Sequence, residues 1–335
     1  MKTQVAINGF GRIGRAIFRI ISERKDMEVV AINDLYPAKD LAYLLRYDTV
    51  MKTFARKIES DQDSLQLDGR RIPLSSERDP ARLPWAKLGA AVVIESTGVF
   101  RKRAELEAHL KAGAKKVVLT VPPKDEVDAL VVLGVNDHVL TAKHDIVSNA
   151  SCTTNCLAPV AKVLHEQFEI VRGFMTTVHA YTNDQRLADV PHKDFRRARA
   201  AARNLIPTTT GAARAVGKVM PELEGRLDGH AVRVPVPDGS VVDLVCELGR
   251  ETSADEVNRC MKAAAGGALK RVLQYCEDPI VSSDIIGNPH SSIFDALSTQ
   301  MVGSRQLRVL SWYDNEWGYS HRVVDLVARL VELMR

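Results

Sequence analysis

The chain opens with the motif Asn8-Gly9-Phe10-Gly11-Arg12-Ile13-Gly14, in which three glycines follow the spacing G-x-G-x-x-G directly after the apolar run 3–7. Isoleucines then recur at helical spacing at positions 13, 17, 20 and 21, so the glycines lie on a turn from a strand into a helix. The next apolar run, 29–34, ends in Asp34, a carboxylate 20 residues after Gly14. These features form a complete dinucleotide-binding fingerprint: the glycines admit a pyrophosphate, the helix N-terminus faces its charge, and the acid accepts from a ribose hydroxyl.

The residues after this motif predict an α/β domain. The carboxylate of Asp34 would repel the additional phosphate of NADP, so the sequence favours NAD as the cofactor. Strands at 91–95 and 116–120 flank a helical stretch, and this alternation predicts a Rossmann-type, doubly wound parallel sheet. Ligands of such sheets bind beyond the carboxyl ends of the strands, which here are the segments 96–98 and 120–123.

The pattern changes after residue 150. Strand-like runs at 173–179, 231–236, 241–248 and 307–313 alternate in polarity or carry β-branched residues, and a helix is predicted at 253–265. These runs predict an α+β domain of mostly antiparallel sheet covered by helices.

The whole chain is therefore expected to fold as two domains, 1–150 and 151–315, with a C-terminal helix at 316–335 that joins the first. Residues 47–84 are less periodic and predict short antiparallel strands and loops inserted in the first domain. Residues 180–204 have little regular pattern and several charges, which is typical of a long functional loop.

Composition excludes several classes of protein. Hydrophobic residues make up 45% and charged residues 26% of the 335, as in globular proteins, and the net charge of +4 is too small to indicate a nucleic-acid partner. No run approaches the roughly 20 apolar residues of a membrane span, and residues 1–4 lead into a strand rather than a signal peptide. Five cysteines without C-x-x-C spacing argue against a disulfide framework and a metal site. We expect a cytoplasmic protein without a membrane partner.

A candidate nucleophile lies in the motif Ser148-Asn149-Ala150-Ser151-Cys152-Thr153-Thr154-Asn155-Cys156, just before the apolar-periodic segment 157–168. Ser151 or Asn149 is placed to cap a helix there, and the positive end of a helix dipole favours an anion such as a thiolate. We therefore expect the pKa of Cys152 to lie below the free value of about 8.5. Taken alone, the position also suits a buried, unreactive cysteine.

His179 is the candidate base for this thiol. It ends the predicted strand 175–178, which would deliver it to a loop rather than to the core. A histidine at a strand end often has only a structural role, but beside Cys152 it would complete a nucleophile–base pair.

Candidate anion-binding groups follow along the chain. Thr208-Thr209-Thr210-Gly211 precedes the helical run 212–219, and hydroxyl and N–H groups at a helix start suit a phosphate. The basic residues at 196–199 and Arg233 would serve the same purpose. Several of these arginines are equally expected to lie on a solvated face or at an oligomer contact.

Five motifs occur in a fixed order: Asn8-Gly9-Phe10-Gly11-Arg12-Ile13-Gly14-Arg15, residues 148–156 as quoted, Thr177-Val178-His179-Ala180-Tyr181-Thr182-Asn183-Asp184-Gln185, Pro207-Thr208-Thr209-Thr210-Gly211-Ala212-Ala213 and Trp312-Tyr313-Asp314-Asn315-Glu316. Through them the sequence resembles the phosphorylating glyceraldehyde-3-phosphate dehydrogenases along essentially its whole length. The resemblance implies that Cys152 attacks an aldehyde and that His179 takes the hydroxyl proton as hydride passes to NAD. Inorganic phosphate would then convert the resulting thioester to an acyl phosphate.

The fingerprint and the resemblance together assign residues to each ligand. Those expected to hold the cofactor are Gly9, Gly11, Arg12, Ile13, Gly14, Asp34, Arg78, Thr120 and Asn315, the last acting on the nicotinamide carboxamide. Two anion sites are expected, one for the phosphate of glyceraldehyde 3-phosphate and one for inorganic phosphate. The residues that would form them are Ser151, Thr153, Thr182, Arg197, Thr210, Gly211 and Arg233. The family's long loop packs near a neighbouring subunit's cofactor, which implies a homotetramer built with residues 180–204.

The sequence departs from the family at a few positions and leaves alternatives open. Family members usually carry Ser-Ala-Pro-Ala where this chain has Thr120-Val121-Pro122-Pro123. Many have a Ser followed shortly by His-Gly where this chain has Thr49–Lys52, and many have Thr-x-Asn-Val where it has Val236-Pro237-Asp238-Gly239. An erythrose-4-phosphate dehydrogenase and an NADP-preferring form are the nearest alternatives. A non-catalytic NAD-binding or RNA-binding role is a further alternative, but its support is the basic loop alone, which lacks the interleaved aromatic residues of a single-strand binder. Cys156 is expected to pack rather than to react.

Overall fold

The computed structural model of the chain describes residues 2–334 and divides into two compact units. The first comprises residues 2–131, 138–150 and 320–334, and the second comprises residues 132–137 and 151–319. Within residues 2–334, no helix combines the length and the apolar character that a membrane span needs.

The first unit is built on a nine-stranded sheet. Its strands are β1 (Thr3–Asn8), β2 (Met27–Asn33), β3 (Ile58–Ser60), β4 (Ser64–Leu67), β5 (Arg70–Ser75), β6 (Val92–Glu95), β7 (Lys116–Leu119), β8 (Ala129–Leu130) and β9 (Ile146–Ser148), and its helices are α1 (Arg12–Ser22), α2 (Ala38–Arg46) and α3 (Arg103–Lys111). The strand order is β3-β4-β5-β2-β1-β6-β7-β9-β8. All neighbours from β5 to β8 pair in parallel, which confirms the predicted doubly wound sheet, and β3 and β4 add the predicted antiparallel edge.

Two glycines of the opening motif are required by close backbone approach. Gly9 has a φ of +91°, and a Cβ there would lie 2.6 Å from the backbone nitrogen of Thr97. A Cβ on Gly14 would lie 2.2 Å from the carbonyl oxygen of Gly9. The turn from β1 into α1 therefore packs against the segment after β6 with no room for side chains.

A buried carboxylate orders the carboxyl end of this sheet. Glu95 lies at the end of β6. One of its carboxylate oxygens accepts from Asn8 Nδ2 at 2.5 Å and from His109 Nε2 at 3.0 Å. The other accepts from the backbone N–H of Thr97 at 2.8 Å and from the Thr97 hydroxyl. Trp85 Nε1 donates to His109 Nδ1 at 3.0 Å, which assigns the histidine ring proton to Nε2. All four acceptor positions of the carboxylate are thus used.

The second unit carries a seven-stranded sheet. Its strands are β10 (Ile170–Ala180), β11 (Ile206–Thr209), β12 (Leu227–Val234), β13 (Ser240–Leu248), β14 (Leu273–Cys276), β15 (Ser292–Val302) and β16 (Gln306–Tyr313). Its helices are α4 (Cys152–Phe168), α5 (Ala212–Val219) and α6 (Ala254–Gly266). The last helix, α7 (Trp317–Leu333), begins in this unit and belongs to the first unit from residue 320 on. The strand order is β11-β12-β10-β13-β16-β15-β14, and only the pairs β10–β12 and β14–β15 are parallel. The predicted mostly antiparallel sheet with helices is confirmed.

The long loop has the irregular structure that its sequence predicts. Between the end of β10 and residue 200 the described chain forms no helix or strand, only an isolated bridge from Arg186 to Ala200. A short 3₁₀ turn at Ala201–Arg203 then leads to β11.

We expect Glu95→Gln to lower the free energy of unfolding by about 1–3 kcal/mol. The amide group would place its own N–H groups against donors that now point at a carboxylate oxygen. The shift in the midpoint of chemical unfolding measures the effect. Glu107→Gln is the control, because that carboxylate forms an i,i+4 pair with Arg103 at 3.1 Å whose two side chains are 39% and 43% exposed. Equal shifts for the two variants would contradict the role given to Glu95.

Candidate active site

The start of α1 fits the pyrophosphate of a dinucleotide. Gly11 is the N-cap of the helix, and a Cβ at this position would meet nothing within 4 Å, so the space in front of the helix is open. The N–H groups of the first turn have no partner inside a helix and point toward that space. Gly9, Arg12, Ile13 and Gly14 all lie on this turn, as their assignment to the cofactor requires.

Side chains predicted to contact the cofactor lie at the same end of the sheet. Asp34 follows β2 directly, and its carboxylate accepts from the backbone N–H of Phe10 at 2.6 Å, which leaves lone pairs for ribose hydroxyls. The guanidinium of Arg12 is instead paired with Asp48 at 3.0 Å, so we infer that Arg12 serves a cofactor through its backbone. Thr120 follows β7, and its hydroxyl donates to the carbonyl oxygen of Glu95 at 3.0 Å.

Arg78 is exposed, and its place at this end of the sheet is set by a neighbour. The side chain of Asn33 bonds both the N–H and the carbonyl of Glu77, at 2.9 Å each. This holds the segment that carries Arg78 next to the end of β2.

Asn315 lies in the second unit, where its amide is oriented by a serine. The hydroxyl of Ser240 donates to Asn315 Oδ1 at 2.6 Å and accepts from the backbone N–H of Ala180 at 3.1 Å. With its oxygen engaged, Asn315 presents its amide N–H₂ group as a donor, which fits the oxygen of a carboxamide.

Cys152 is the first residue of α4, and Ser151 is its N-cap, as predicted. The Ser151 hydroxyl accepts from the backbone N–H of Thr154 at 3.1 Å. The Cys152 thiol therefore projects from the helix end that carries the positive dipole.

His179 is buried within β10 rather than delivered to a loop, so that expectation is wrong. The strand continues through Ala180 because it is paired on both sides, with β12 and with β13, and only 4% of His179 is exposed. Its Nε2 atom lies 3.5 Å from Cys152 Sγ. The two predicted catalytic side chains are therefore in hydrogen-bond contact.

The expected lowering of the thiol pKa is also wrong. Burial raises the pKa of Cys152 above its ordinary value, and the opposing attraction of Arg233 for the thiolate is the smaller effect. Burial, together with the positive charge of Arg233, lowers the pKa of His179 to about 3. Burial therefore disfavours the charged form of each of the two side chains.

Tyr313 is a residue of this site to which the sequence assigns no role. Its hydroxyl lies 2.8 Å from the hydroxyls of both Thr153 and Thr177, and its ring meets the ring of His179 edge to face, with centroids 5.8 Å apart. Burial raises the pKa of Tyr313 well above its ordinary value. Tyr313 thus joins the first turn of α4 to β10. The only signal in the sequence is its place beside Asn315 in a motif.

Two arginines that were predicted to bind an anion interact electrostatically with one another. Arg233 lies opposite His179 in the register of β10 and β12, and its Nη1 atom is 2.6 Å from His179 Nδ1. Burial, and to a lesser extent the charge of Arg197, lower the pKa of Arg233. Arg197 is held by Asp184 and by Asp194, the latter at 3.3 Å. Thr182 lies two residues before Asp184 in the same loop.

The other residues predicted to bind an anion lie at two adjacent helix N-termini. The Ser151 hydroxyl contacts the Thr154 hydroxyl at 2.7 Å, and Thr154 Oγ1 in turn donates to the carbonyl of Ala212 at 3.4 Å, so the starts of α4 and α5 are adjacent. Gly211 is the N-cap of α5, and Thr210 Oγ1 accepts from the N–H of Ala212 at 3.2 Å. Thr153 completes the first turn of α4, with its hydroxyl on Tyr313.

A carboxyl pair lies beneath Asn315. Asp238 is 2% exposed, and Asp314 accepts the N–H groups of Gly287, at 2.7 Å, and Glu316, at 2.9 Å. Burial and the charges of Asp314 and Glu316 raise the pKa of Asp238 to about 9. Asp238 is therefore the carboxyl of this group that retains a proton at neutral pH.

Comparison with known proteins gives one family for both units. The family model described as glyceraldehyde 3-phosphate dehydrogenase, NAD binding domain, matches residues 3–103, and that of the C-terminal domain matches residues 151–315. A glyceraldehyde-3-phosphate dehydrogenase of Geobacillus stearothermophilus is 56% identical over 98% of both chains. The protein of the same name from Borreliella burgdorferi is 57% identical over 98% of this chain and 100% of its own. Glyceraldehyde-3-phosphate dehydrogenase 1 of Bacillus subtilis is 55% identical over 99% of both.

We expect Asp238→Asn to stabilise the protein increasingly as the pH rises. The folded chain keeps a proton on Asp238 up to a pKa of about 9, whereas the unfolded chain releases it near 3.8, so the stability of the unsubstituted protein falls with pH between these values. The amide is neutral without that proton. From pH 5 to about pH 9 the difference in free energy of unfolding between variant and unsubstituted protein should grow by up to roughly 1.4 kcal/mol per pH unit. The difference between the two melting temperatures should widen accordingly.

The control for this experiment is Asp228→Asn. Asp228 is an exposed carboxylate 3.6 Å from Arg214, and its replacement should give a gap that does not widen with pH. Melting temperatures that run parallel with pH for Asp238→Asn would rule out the buried proton.

Proposed function

We propose a complete reaction for this chain, which belongs to the glyceraldehyde-3-phosphate dehydrogenase family and is an NAD-dependent oxidoreductase. It oxidises glyceraldehyde 3-phosphate with NAD and inorganic phosphate to 1,3-bisphosphoglycerate, a step of glycolysis and gluconeogenesis. The observation that carries the proposal is the contact of Cys152 Sγ with His179 Nε2 at 3.5 Å, beside Arg233.

In the first half of the reaction, Cys152 acts as the nucleophile. Its sulfur attacks the aldehyde carbon while His179 Nε2 receives the thiol proton, and His179 passes this proton to the carbonyl oxygen, which becomes the hydroxyl of a hemithioacetal. His179 then takes the proton of that hydroxyl as the carbon is oxidised to a thioester. Arg233 and Arg197 hold the phosphate of the substrate and so fix the distance of its aldehyde from the sulfur.

The cofactor supplies an acceptor for the hydride that leaves the hemithioacetal carbon. The helix start at Gly11 and the carboxylate of Asp34 suit its pyrophosphate and ribose, and Asn315 suits its carboxamide. Asp34 also favours NAD over NADP, because a 2′-phosphate would meet its negative charge.

In the second half, inorganic phosphate attacks the thioester carbon. One phosphate oxygen forms the new C–O bond and Cys152 leaves as a thiolate, which gives the acyl phosphate. The adjacent starts of α4 and α5, with Ser151, Thr153, Thr210 and Gly211, suit the attacking phosphate because each helix N-terminus favours an anion. Residues 1–150 with the C-terminal helix thus serve the cofactor, and residues 151–315 perform the chemistry.

We also propose that the chain works as a homotetramer in the cytoplasm. The long loop exposes two large apolar side chains, Leu187 at 86% and Phe195 at 87%. In addition, Phe174 on β10 lies opposite Val245 on β13, and 55% of Phe174 is exposed. Contacts between subunits would bury these groups. The five free thiols fit a reducing compartment.

Cys152→Ala should abolish NADH formation from glyceraldehyde 3-phosphate and leave NAD binding intact, because it removes only the attacking atom. Initial rates of NADH formation and titration of NAD binding measure the two effects. The matched control is Cys156→Ala in the same helix. Burial raises the pKa of Cys156 to about 12, so its thiol is unreactive and its loss should leave turnover in place.

The unsubstituted protein should form NADH only when both the aldehyde and inorganic phosphate are present. Faster turnover of erythrose 4-phosphate, or turnover with NADP equal to that with NAD, would overturn the assignment of substrate or cofactor. Activity retained in Cys152→Ala would overturn the mechanism.

Light scattering should give a mass four times that of the 37.0 kDa chain. Phe195→Glu should shift the protein to smaller species, because a charge would replace an apolar group buried between subunits. Val139→Glu is the control: this valine is 41% exposed and lies in the first unit, away from the loop. A monomer for the unsubstituted protein would contradict the proposal.

A further inference from the structure

Three adjacent strands of the first unit end in buried polar residues that lie side by side. Asn8 ends β1, and the parallel register places it opposite Asn33, the last residue of β2, and opposite Glu95, the last residue of β6. Side chains in direct register leave a sheet on the same face. The exposed fraction of each is 5% or less. Polar groups buried in this way need hydrogen-bond partners, and each member finds them in the next strand.

Glu95, Asn8 and Asn33 form one hydrogen-bonded polar row. Asn8 Nδ2 donates to a carboxylate oxygen of Glu95 at 2.5 Å, and Asn33 Nδ2 donates to Asn8 Oδ1 at 2.7 Å. Asn33 Nδ2 also donates to the carbonyl oxygen of Glu77 at 2.9 Å, and Asn33 Oδ1 accepts from the N–H of Glu77 at 2.9 Å. The polar row therefore runs from the end of β6 to the segment that carries Arg78.

Each member of the polar row determines the orientation of the next. A carboxylate has only acceptors, so Asn8 must turn its NH₂ group toward Glu95 and its oxygen toward Asn33. Asn33 must then present its own NH₂ group to Asn8, which leaves its oxygen for the N–H of Glu77. The backbone of Glu77 requires the same orientation of Asn33 from the other end. Both amides are therefore fixed only while the first member of the row is a pure acceptor.

The polar row lies directly beneath the expected cofactor edge. Gly9, in the turn that faces the pyrophosphate, follows Asn8, and Asp34, which suits the ribose of the adenosine half, follows Asn33. The backbone N–H of Gly9 donates to the carbonyl oxygen of Asn33 at 2.8 Å. The row thus fixes the backbone from which both residues approach a dinucleotide.

We propose that Glu95 is a positioning residue for the adenosine half of NAD, acting through the polar row on the segment that carries Arg78. The proposal rests on the proposed function, from which it takes NAD as the ligand and Arg78 as a contact. The row holds this segment in one arrangement before NAD binds, so binding does not have to order it, and affinity is preserved. Loss of the row should weaken binding of the cofactor and leave the turnover number of the loaded enzyme unchanged.

The first test is the affinity of Asn33→Ala for NAD and for ADP-ribose, measured by calorimetric titration of the full-length protein without substrate. Both dissociation constants should rise roughly tenfold, which corresponds to about 1.4 kcal/mol, because both ligands carry the adenosine half. In the enzyme assay KM for NAD should rise and kcat should not change. Unchanged dissociation constants, or a fall in kcat at unchanged KM, would overturn the proposal.

Asn258→Ala is the matched control. Asn258 donates to the carbonyl oxygen of Ala296 at 3.0 Å and accepts from Thr299 Oγ1 at 2.7 Å, but it lies in the second unit. Its replacement removes comparable hydrogen bonds, so it should lower the free energy of unfolding without changing the affinity for either ligand. An equal loss of NAD affinity in both variants would reduce the effect of Asn33→Ala to general destabilisation and overturn the proposal.

A double-mutant cycle tests whether Glu95 acts through the polar row. Glu95→Gln offers the row a donor as well as an acceptor, so it should raise the dissociation constant of NAD in the otherwise unsubstituted protein. In the Asn33→Ala background the same substitution should add little, because the member through which it acts is gone. Effects of the two substitutions that simply multiply would show that Glu95 acts by another route and would overturn the proposal.

Hydrogen exchange of the unsubstituted protein gives a test that needs no variant to fold. The N–H of Glu77 lies outside the helices and strands of residues 2–334, and its partner is the side chain of Asn33. Without NAD, this amide should exchange far more slowly than the same amide in an unstructured peptide. Exchange at the unstructured rate would overturn the proposal, because the segment would not be held before the cofactor binds.

NADH formation by the unsubstituted protein keeps failure of this proposal distinct from failure of the proposed function. A protein that oxidises glyceraldehyde 3-phosphate, but whose affinity for NAD is the same in Asn33→Ala, refutes only the positioning role. A protein whose affinity for NAD depends on the polar row, but which forms no NADH from glyceraldehyde 3-phosphate and phosphate, refutes only the reaction.

Discussion

The pairing of β10 with β12 is the constraint on which the catalytic arrangement depends. The parallel register places His179 directly opposite Arg233, so the two side chains leave the sheet on the same face. On its other side β10 pairs with β13, whose Ser240 bonds both the N–H of Ala180 and the amide of Asn315. A slip of one residue in either register would turn a required side chain to the opposite face. The base, its arginine and the donor for the carboxamide thus share one strand as their reference.

Burial acts on both members of the nucleophile–base pair. Removing a charged group from water costs free energy, so burial raises the pKa of Cys152 and lowers that of His179. The positive charge of Arg233 opposes the effect of burial at Cys152 and adds to it at His179. One guanidinium on β12 thus favours the thiolate and disfavours the imidazolium.

Sequence patterns predicted the fold where a local rule determines it. The glycine motif, the cap at Ser151 and the helix over 212–219 depend on near neighbours in the chain, and each lies where expected. The sequence did not predict β14 and β15, because β15 is broken by an irregularity between Asp295 and Gln300 and its burial does not alternate.

At the site, the errors come from long-range packing. A helix start by itself lowers a thiol pKa, but the walls that desolvate Cys152 come from distant segments and reverse the sign. The burial of His179 and the place of Tyr313 have the same origin. The start of α4 shows why such packing matters for function: it favours negative charge, and the reaction places there first a thiolate and then a phosphate. In the proposed second half-reaction, the oxygen that forms the new C–O bond gives up one negative charge as the departing sulfur gains one, so the total charge near this helix end does not change in that step.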